Sequence, residues 1–450
     1  MILALPWIPL AGAFLILLIP RENESRIRSV ALICTGLSFL ITLSCLLRFQ
    51  IGNPGYQFLH RIEWIPSLGI AYQVGLDGIN MTLCLLHAFV SLAGVFVACR
   101  VKERLKEYLL FYLLLVGSIY GVFTSLDLFF LYLYYEMTLI PLYPMIGIWG
   151  SQNKEYGAMK LTIYITTGAV LALFGILLLY RELGINSFDL IQIREVLRMK
   201  PLGEDFQKLL TPFLLIGFGV IASLWPLHSW SPIGYAAAPT SVSMLHAGVL
   251  KKMGPYLMIR IALGLLPLGM AHWTPWLAAL ACIGIIYAGM AAIWQKDLKF
   301  MVGFSSVSHM GYVLLGLAAM NLTSVSGMVF LMFSHGVMAA CAFALIGFIY
   351  EQAHIRGVKD FGGLAKKIPF VAACFVMTSL ASLGLPGFSN FASELLIFIG
   401  SWPEYPALVA LAVVGILITA IYLLRAVQSV CYGPFNPRWN HLQDAKGFFE

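Results

Sequence analysis

Charge is what this sequence has least of. Of its 450 residues, 11% are Asp, Glu, Lys or Arg, where a soluble domain carries about 25%. With 60% hydrophobic residues and a mean hydropathy of +0.87, that scarcity leaves little room for a soluble domain and indicates an integral membrane protein. Strict alternation of polar and apolar residues is also missing. The apolar runs are about 20 residues long, the length of a bilayer-spanning α-helix, so the spans read as helices. The eight cysteines form no CxxC pair and no Cys/His cluster, which argues against a disulfide or metal framework and for reduced, buried, small apolar side chains. There is no Walker or dinucleotide motif, no haem or iron–sulfur ligand spacing and no nucleophile elbow, so no redox or covalent chemistry is expected of this chain. No basic stretch precedes the first apolar run and no small-residue cleavage site follows it, which reads as a retained first helix. The net charge of +7 is not a nucleic-acid signal, because the basic residues cluster in short loops, where they report topology.

What is present is an all-α polytopic pattern of about thirteen spans: 2–19, 28–48, 78–99, 108–125, 127–149, 157–180, 209–230, 240–266, 274–294, 299–319, 325–349, 369–400 and 405–430. The odd-numbered loops carry most of the basic residues, including Arg100, Lys102, Arg104 and Lys106, then Arg356, Lys359, Lys366 and Lys367. The positive-inside rule therefore puts those loops in the cytoplasm or its organellar equivalent, and the N-terminus outside. The outside loops 49–77 and 181–208 are amphipathic enough to lie as short elements on the membrane surface.

The chain is organised around Leu209–Arg260, two apolar segments joined by a linker holding Pro226, Pro232 and Pro239, with Lys251 and Lys252 midway along the second. The seventh span is interrupted at Trp225-Pro226 and the twelfth at Gly384-Leu385-Pro386-Gly387. A proline removes a backbone donor, and inside a bilayer the freed carbonyls need water or neighbours, so a broken helix marks a polar interior. Either break alone reads equally as a simple kink. Two breaks five spans apart are what an inverted five-helix repeat produces.

Five ionisable residues lie deep in five different spans: Glu136, Lys252 (with Lys251 beside it), His309, His335 and Glu394. A charge at mid-bilayer costs roughly 2.5–3.5 kcal/mol on insertion scales. Leaving five of them in lipid would consume a sum on the order of a domain's whole net stability, so they are expected to converge on a hydrated interior. Their chemistry suits a proton relay, because histidine titrates near neutrality and burial moves carboxylates and lysines toward it. A single buried histidine is more often a hydrogen-bonded structural residue, so the functional reading leans on Glu136 and Lys252. Asp127, Lys160, Asp297 and Lys299 lie near span ends and read as snorkelling or capping groups.

The stretches YEMTLIPLYPMIGIWG, PLHSW, APTSVSMLHAGVLKKMGPY, KDLKFMVGFSSVSHMGYVLLG, SHGVMAACAF and GLPGFSNFASE resemble the antiporter-like M subunit of NADH:quinone oxidoreductase (complex I; mitochondrial subunit 4), itself similar to Mrp-type cation/proton antiporter subunits. The likeness covers nearly everything from the fourth span onward. It implies fourteen helices, an inverted repeat and proton translocation driven by quinone reduction elsewhere in the complex. On that basis the chain divides into three N-terminal helices (1–107), a first repeat (108–266), a second repeat (267–432) and a tail (433–450) leading to a last helix the chain does not hold. By resemblance Glu136 is the fifth-helix coupling glutamate, Lys252 the central lysine, His309 and His335 the connecting histidines, and Glu394 the exit-side group, its glutamate pointing to the M type. No cofactor or metal is expected in this chain; NADH, FMN, iron–sulfur clusters and quinone belong to partner subunits. The implied partners are L-, N- and K-type membrane subunits and the lipid bilayer of a bacterial plasma membrane or its organellar equivalent, with no nucleic acid.

Three positions depart from the family pattern. The lysine that partners the fifth-helix glutamate lies seven residues before the histidine of PLH, and here that residue is Ile221. Lys208 is thirteen residues further back, roughly 20 Å along a helix. The central lysine is doubled, so that Lys251 is a candidate substitute, and the fourteenth helix is missing. The first departure supports a rival expectation, a non-pumping scaffold subunit; a second rival is an Mrp- or hydrogenase-type antiporter subunit.

Overall fold

The structure is a computed structural model that describes residues 1–445; residues 446–450, the end of the expected tail, lie outside the described residues. Backbone groups in a bilayer must be satisfied within their own segment, so the apolar runs become helices. In chain order these are α1 (Ala4–Leu18), α2 (Glu24–Arg48), α3 (Gly78–Ala98), α4 (Leu105–Thr124), α5 (Leu128–Met137), α6 (Leu139–Trp149), α7 (Lys154–Leu183), α8 (Leu190–Met199), α9 (Glu204–Ala222), α10 (Trp230–Ala237), α11 (Thr240–Gly248), α12 (Met253–Leu257), α13 (Pro267–Trp294), α14 (Leu298–Ala318), α15 (Leu322–Ala353), α16 (Pro369–Ser382), α17 (Ser389–Ser401) and α18 (Pro406–Cys431). Among the described residues, nine of these helices are long and apolar enough to cross a membrane, and α1 and α16 are shorter apolar helices. The protein is an integral, multi-pass membrane protein.

Four helix breaks share one cause. Proline has no N–H to give the carbonyl four residues back and its ring crowds that carbonyl. Pro226 stands four residues after Ala222, where α9 ends, and Pro386 four after Ser382, where α16 ends. Pro141 follows Met137, the last residue of α5, by four, and Thr138 separates α5 from α6. Pro255 follows Lys251 by four, and residues Leu250–Lys252 form a 3₁₀ turn between α11 and α12, with a π-helical stretch over Met258–Leu263 beyond. The sequence reading anticipated the breaks in spans seven and twelve; those inside 127–149 and 240–266 are additional.

The expected surface elements take definite form. Residues 49–77 hold an antiparallel hairpin, β1 (Gln57–Ile65) paired with β2 (Ile70–Leu76), so the all-α expectation gains one small sheet. β2 is buried along its whole length while most of β1 is exposed. Residues 181–208 hold α8, capped by Asp189, whose carboxylate accepts from the Ile191 and Gln192 amides and from Arg61 at 2.8 Å.

The chain forms two compact units, residues 1–222 with 237–275, and residues 223–236 with those from 276 on. In the first, α1 packs on α4, α7 on α9, and α12 on α9. In the second, α15 packs on α14, α16 and α17, and α14 on α17 and α18. The tail turns back onto this unit: Trp439 is buried and donates to the Asp360 carbonyl at 3.0 Å, and Asp444 accepts from the Phe370 and Val371 amides at the start of α16.

Candidate functional site

In the first unit, Lys251 and Lys252 sit in the turn between α11 and α12, where Pro255 opens the helix. Lys251 and Lys252 are fully buried, and the Lys252 ammonium donates to the Ala247 carbonyl. A 3₁₀ turn takes carbonyls out of the regular α-helical ladder, which makes them available to such a donor. His246, also fully buried, lies one turn earlier. A Cβ at Gly254 would stand 2.6 Å from the Phe218 carbonyl and 2.7 Å from the Ala222 nitrogen. α12 therefore lies directly on the last turn of α9, the turn that carries buried Ile221. Lys208, at the far end of α9, pairs with Glu204 at 2.8 Å.

Glu136 stands one residue before the α5 break, half-buried, and accepts from the Tyr132 hydroxyl at 2.9 Å. Among the described residues it forms no ion pair. Glu136, Lys251 and Lys252 thus belong to one compact unit.

In the second unit, the structure brings His309, His335 and Glu394 together. The His309 and His335 rings are 5.0 Å apart, and His309 Nε2 is 3.9 Å from Glu394 Oε1. All three are buried. His309 Nδ1 lies 2.8 Å from the Ser305 carbonyl and Nε2 2.9 Å from the Ser382 carbonyl. The second acceptor is the carbonyl that Pro386 deprives of its helical donor, so the break in span twelve supplies a ligand to the histidine. Carbonyl oxygens only accept, and a neutral imidazole has a single N–H; only the imidazolium satisfies both contacts. The Glu394 carboxyl group lies beside Nε2, at 3.9 Å. Gly384, at φ 68°, makes room for that carboxylate: a Cβ there would be 2.6 Å from Glu394 Oε2. Tyr422 donates to the Ser305 hydroxyl at 2.7 Å, tying α18 to the turn that holds His309. His228, from the interrupted seventh span, packs its ring 5.2 Å from Tyr287.

Two buried cations escaped the sequence reading, although each is an ionisable residue in or beside an apolar run. Arg260 is 2% exposed and donates to Asp77 at 2.6 Å, with Tyr256 and Tyr56 stacked on its guanidinium. Burial works against the charged form of Asp77, but Arg260 and the Asn80 and Ile79 amides outweigh it and hold the carboxyl below its usual range. Arg356 is buried, pairs with Asp297 at 3.0 Å and donates to the Ala236 carbonyl at 2.7 Å. Asp127 and Asp297 are the helix caps they were expected to be, each accepting from amides of the following turn. Lys160 lies over the Tyr156 and Tyr164 rings. Lys299 departs from expectation: it is 2% exposed and does not snorkel to water. Among the described residues, no group of three His, Cys, Asp or Glu side chains is arranged to hold a metal ion.

The transmembrane family described as NADH:quinone oxidoreductase/Mrp antiporter matches residues 125–419. Subunit M of the NADH-quinone oxidoreductase of Rickettsia bellii is 36% identical over 433 residues, which is 95% of this chain and 87% of that one. NAD(P)H-quinone oxidoreductase chain 4 2 of Microcystis aeruginosa is 37% identical over 445 residues, 95% of this chain and 79% of that one. Among solved structures, a chain of respiratory complex I from Thermus thermophilus with bound NADH aligns with a TM-score of 0.88 at 27% identity, covering 99% of this chain and 91% of that one. A chain of the Mrp complex from Dietzia sp. shares the fold, with a TM-score of 0.85 at 20% identity over 96% of this chain and 80% of that one.

Proposed function

The chain belongs to the NADH:quinone oxidoreductase/Mrp antiporter transmembrane family, with subunit M among its relatives, and from that premise we propose that it moves protons as a membrane subunit of a complex I-type assembly. Lys252 is the central carrier, with Lys251 a possible substitute, His309 and His335 pass the proton on, and Glu394 is the exit-side acceptor. Glu136 is the coupling carboxylate whose usual lysine partner is replaced by Ile221. The division into repeats 108–266 and 267–432, L-, N- and K-type partner subunits, redox cofactors confined to other subunits, and an outside N-terminus in a plasma membrane or its organellar equivalent belong to the same reading.

One observation carries it: the buried cluster of His335, His309 and Glu394 around the Ser382 carbonyl. Protonated, His309 satisfies both carbonyls. On losing a proton it leaves a lone pair facing a carbonyl oxygen, an arrangement that lasts only until the ring turns or is reprotonated. Glu394, 3.9 Å away, takes the released proton, and His335, its ring 5.0 Å from that of His309, replaces it. Transfer through such a chain requires each member to be a competent donor and acceptor within reach of the next.

The test is proton uptake per electron in sealed vesicles containing the whole complex, wild type against Lys252→Ala. The proposal expects the proton yield per electron to fall while quinone reduction persists or slows. Unchanged yield in a fully assembled complex supports the second reading, which Ile221 favours: a subunit that keeps the family fold and polar residues but serves as a spacer between working pumps.

A further inference from the structure

In the first unit a cavity of about 310 Å³ opens between α8, the start of α9 and the turn leading into α13, lined by Arg194, Arg198, Leu202, Gln207, Leu265 and Leu268. Its two arginines have no carboxylate partner among the described residues, although Glu195 is on the same helix. Arg194 is held in place from one side. Its guanidinium donates to the Tyr56 hydroxyl at 3.1 Å and reaches the Arg260 carbonyl at 3.5 Å. It also lies where a side chain at Gly264 would have to go, 2.8 Å from the Cβ position. Its Nε is buried without a hydrogen-bond partner. The neighbouring cation, Arg260, is neutralised by Asp77, which leaves Arg194 and Arg198 as uncompensated charge at the cavity. The rest of the lining is largely apolar, and Leu268 at the start of α13 is exposed.

We propose that this cavity binds the phosphate of an anionic phospholipid, with Arg194 and Arg198 on the phosphate oxygens and the acyl chains leaving past Leu268. A guanidinium presents a planar fork that matches two phosphate oxygens. Charge-assisted contacts of this kind bind an anionic headgroup in either leaflet, because they act at hydrogen-bond distance rather than through a leaflet's surface potential. The volume reaches the range of small-molecule sites, roughly 300–1,000 Å³, enough for a phosphodiester and its glycerol. A free phosphate would satisfy the arginines equally but would leave the apolar rim unused, so the two sources differ in what they bury.

The experiment uses the whole complex, stripped of lipid in detergent and titrated with mixed micelles of phosphatidylglycerol in phosphatidylcholine. Bound lipid per complex is read by mass spectrometry, and parallel arms contain phosphatidylcholine alone or inorganic phosphate as competitor. Wild type is expected to retain one phosphatidylglycerol more than R194Q/R198Q. Half-saturation is expected to rise about tenfold for R198Q alone, as for loss of one hydrogen bond to a charged group, and not to move for K200Q. Because Arg198 is exposed, R198Q decides the matter if the double variant fails to assemble. Equal retention in wild type and R198Q overturns the proposal, leaving the arginines to a carboxylate on another subunit. Equal retention of phosphatidylcholine overturns it in favour of an apolar groove. Displacement by inorganic phosphate at the same concentration overturns the lipid in favour of a free anion.

Discussion

The Glu394 carboxylate occupies the space that a side chain at residue 384 would need, and residue 384 has a positive φ that glycine adopts at no steric penalty. Gly384→Ala therefore carries two separate costs, a strained backbone and a displaced carboxylate. The backbone cost is on the order of 1–3 kcal/mol, visible as a lower thermal midpoint of the complex. The displacement acts on the 3.9 Å approach between Glu394 and His309. We expect the proton yield per electron to fall more steeply in Gly384→Ala than in Gly387→Ala. Gly387 also has positive φ, but nothing lies within 4 Å of its Cβ position, so it reports the backbone cost alone. If the two variants lose proton yield equally, Glu394 does not depend on the space above Gly384 and its assigned role fails. The wider pattern at this scale is that buried cations lean on backbone oxygens: Lys252 on Ala247, His309 on Ser305 and Ser382, Arg356 on Ala236.

The Ser382 carbonyl that meets His309 is one that Pro386 leaves without its helical donor, so there the helix break and the site are one feature seen at two scales. Pro255→Ala would return a donor to the Lys251 carbonyl and let the 3₁₀ turn over Leu250–Lys252 relax into α-helix. An interior proline costs a helix about 3 kcal/mol, so this variant is expected to match or exceed wild type in thermal midpoint while losing proton yield per electron. A variant that keeps full yield would show that the irregular turn is incidental. The breaks in spans seven and twelve were legible because proline there stands among Gly, Trp and His. The same rule applied to Pro141 and Pro255 would have located the other two, but long apolar runs around them masked the signal. The hairpin was not legible: β1 is mostly exposed, so no buried face imposes a period of two on its sequence. Nor was Arg260 with Asp77, since partners 183 residues apart leave no local trace. Lys299 was misjudged because nearness to a span end says nothing about which side chains of other helices cover it.

At the scale of the molecule, fold and family rest on nearly the whole chain, while the identity of residue 221 bears on whether this subunit pumps in the usual way. Among the described residues Glu136 has a tyrosine for company and forms no ion pair; Ile221 is buried in the turn of α9 against which Gly254 packs. A carboxylate without a switching cation cannot be driven between charge states by that cation's approach, because a nearby opposite charge is what favours the ionised form. Glu136→Gln in the otherwise wild-type chain is therefore expected to lower the proton yield per electron less than Lys252→Ala does. In an Ile221→Lys background the same Glu136→Gln change is expected to become as damaging as Lys252→Ala, since the carboxylate would then have a partner to answer to. The double-mutant cycle isolates that coupling from the separate cost of burying a lysine, which appears in Ile221→Lys alone. If Glu136→Gln abolishes proton uptake with isoleucine still at 221, Glu136 works through another cation, and Lys251→Leu should then reproduce the loss. If it has no effect in either background, Glu136 takes no part in transport, and the histidines and Glu394 of the second unit carry whatever proton movement this subunit performs.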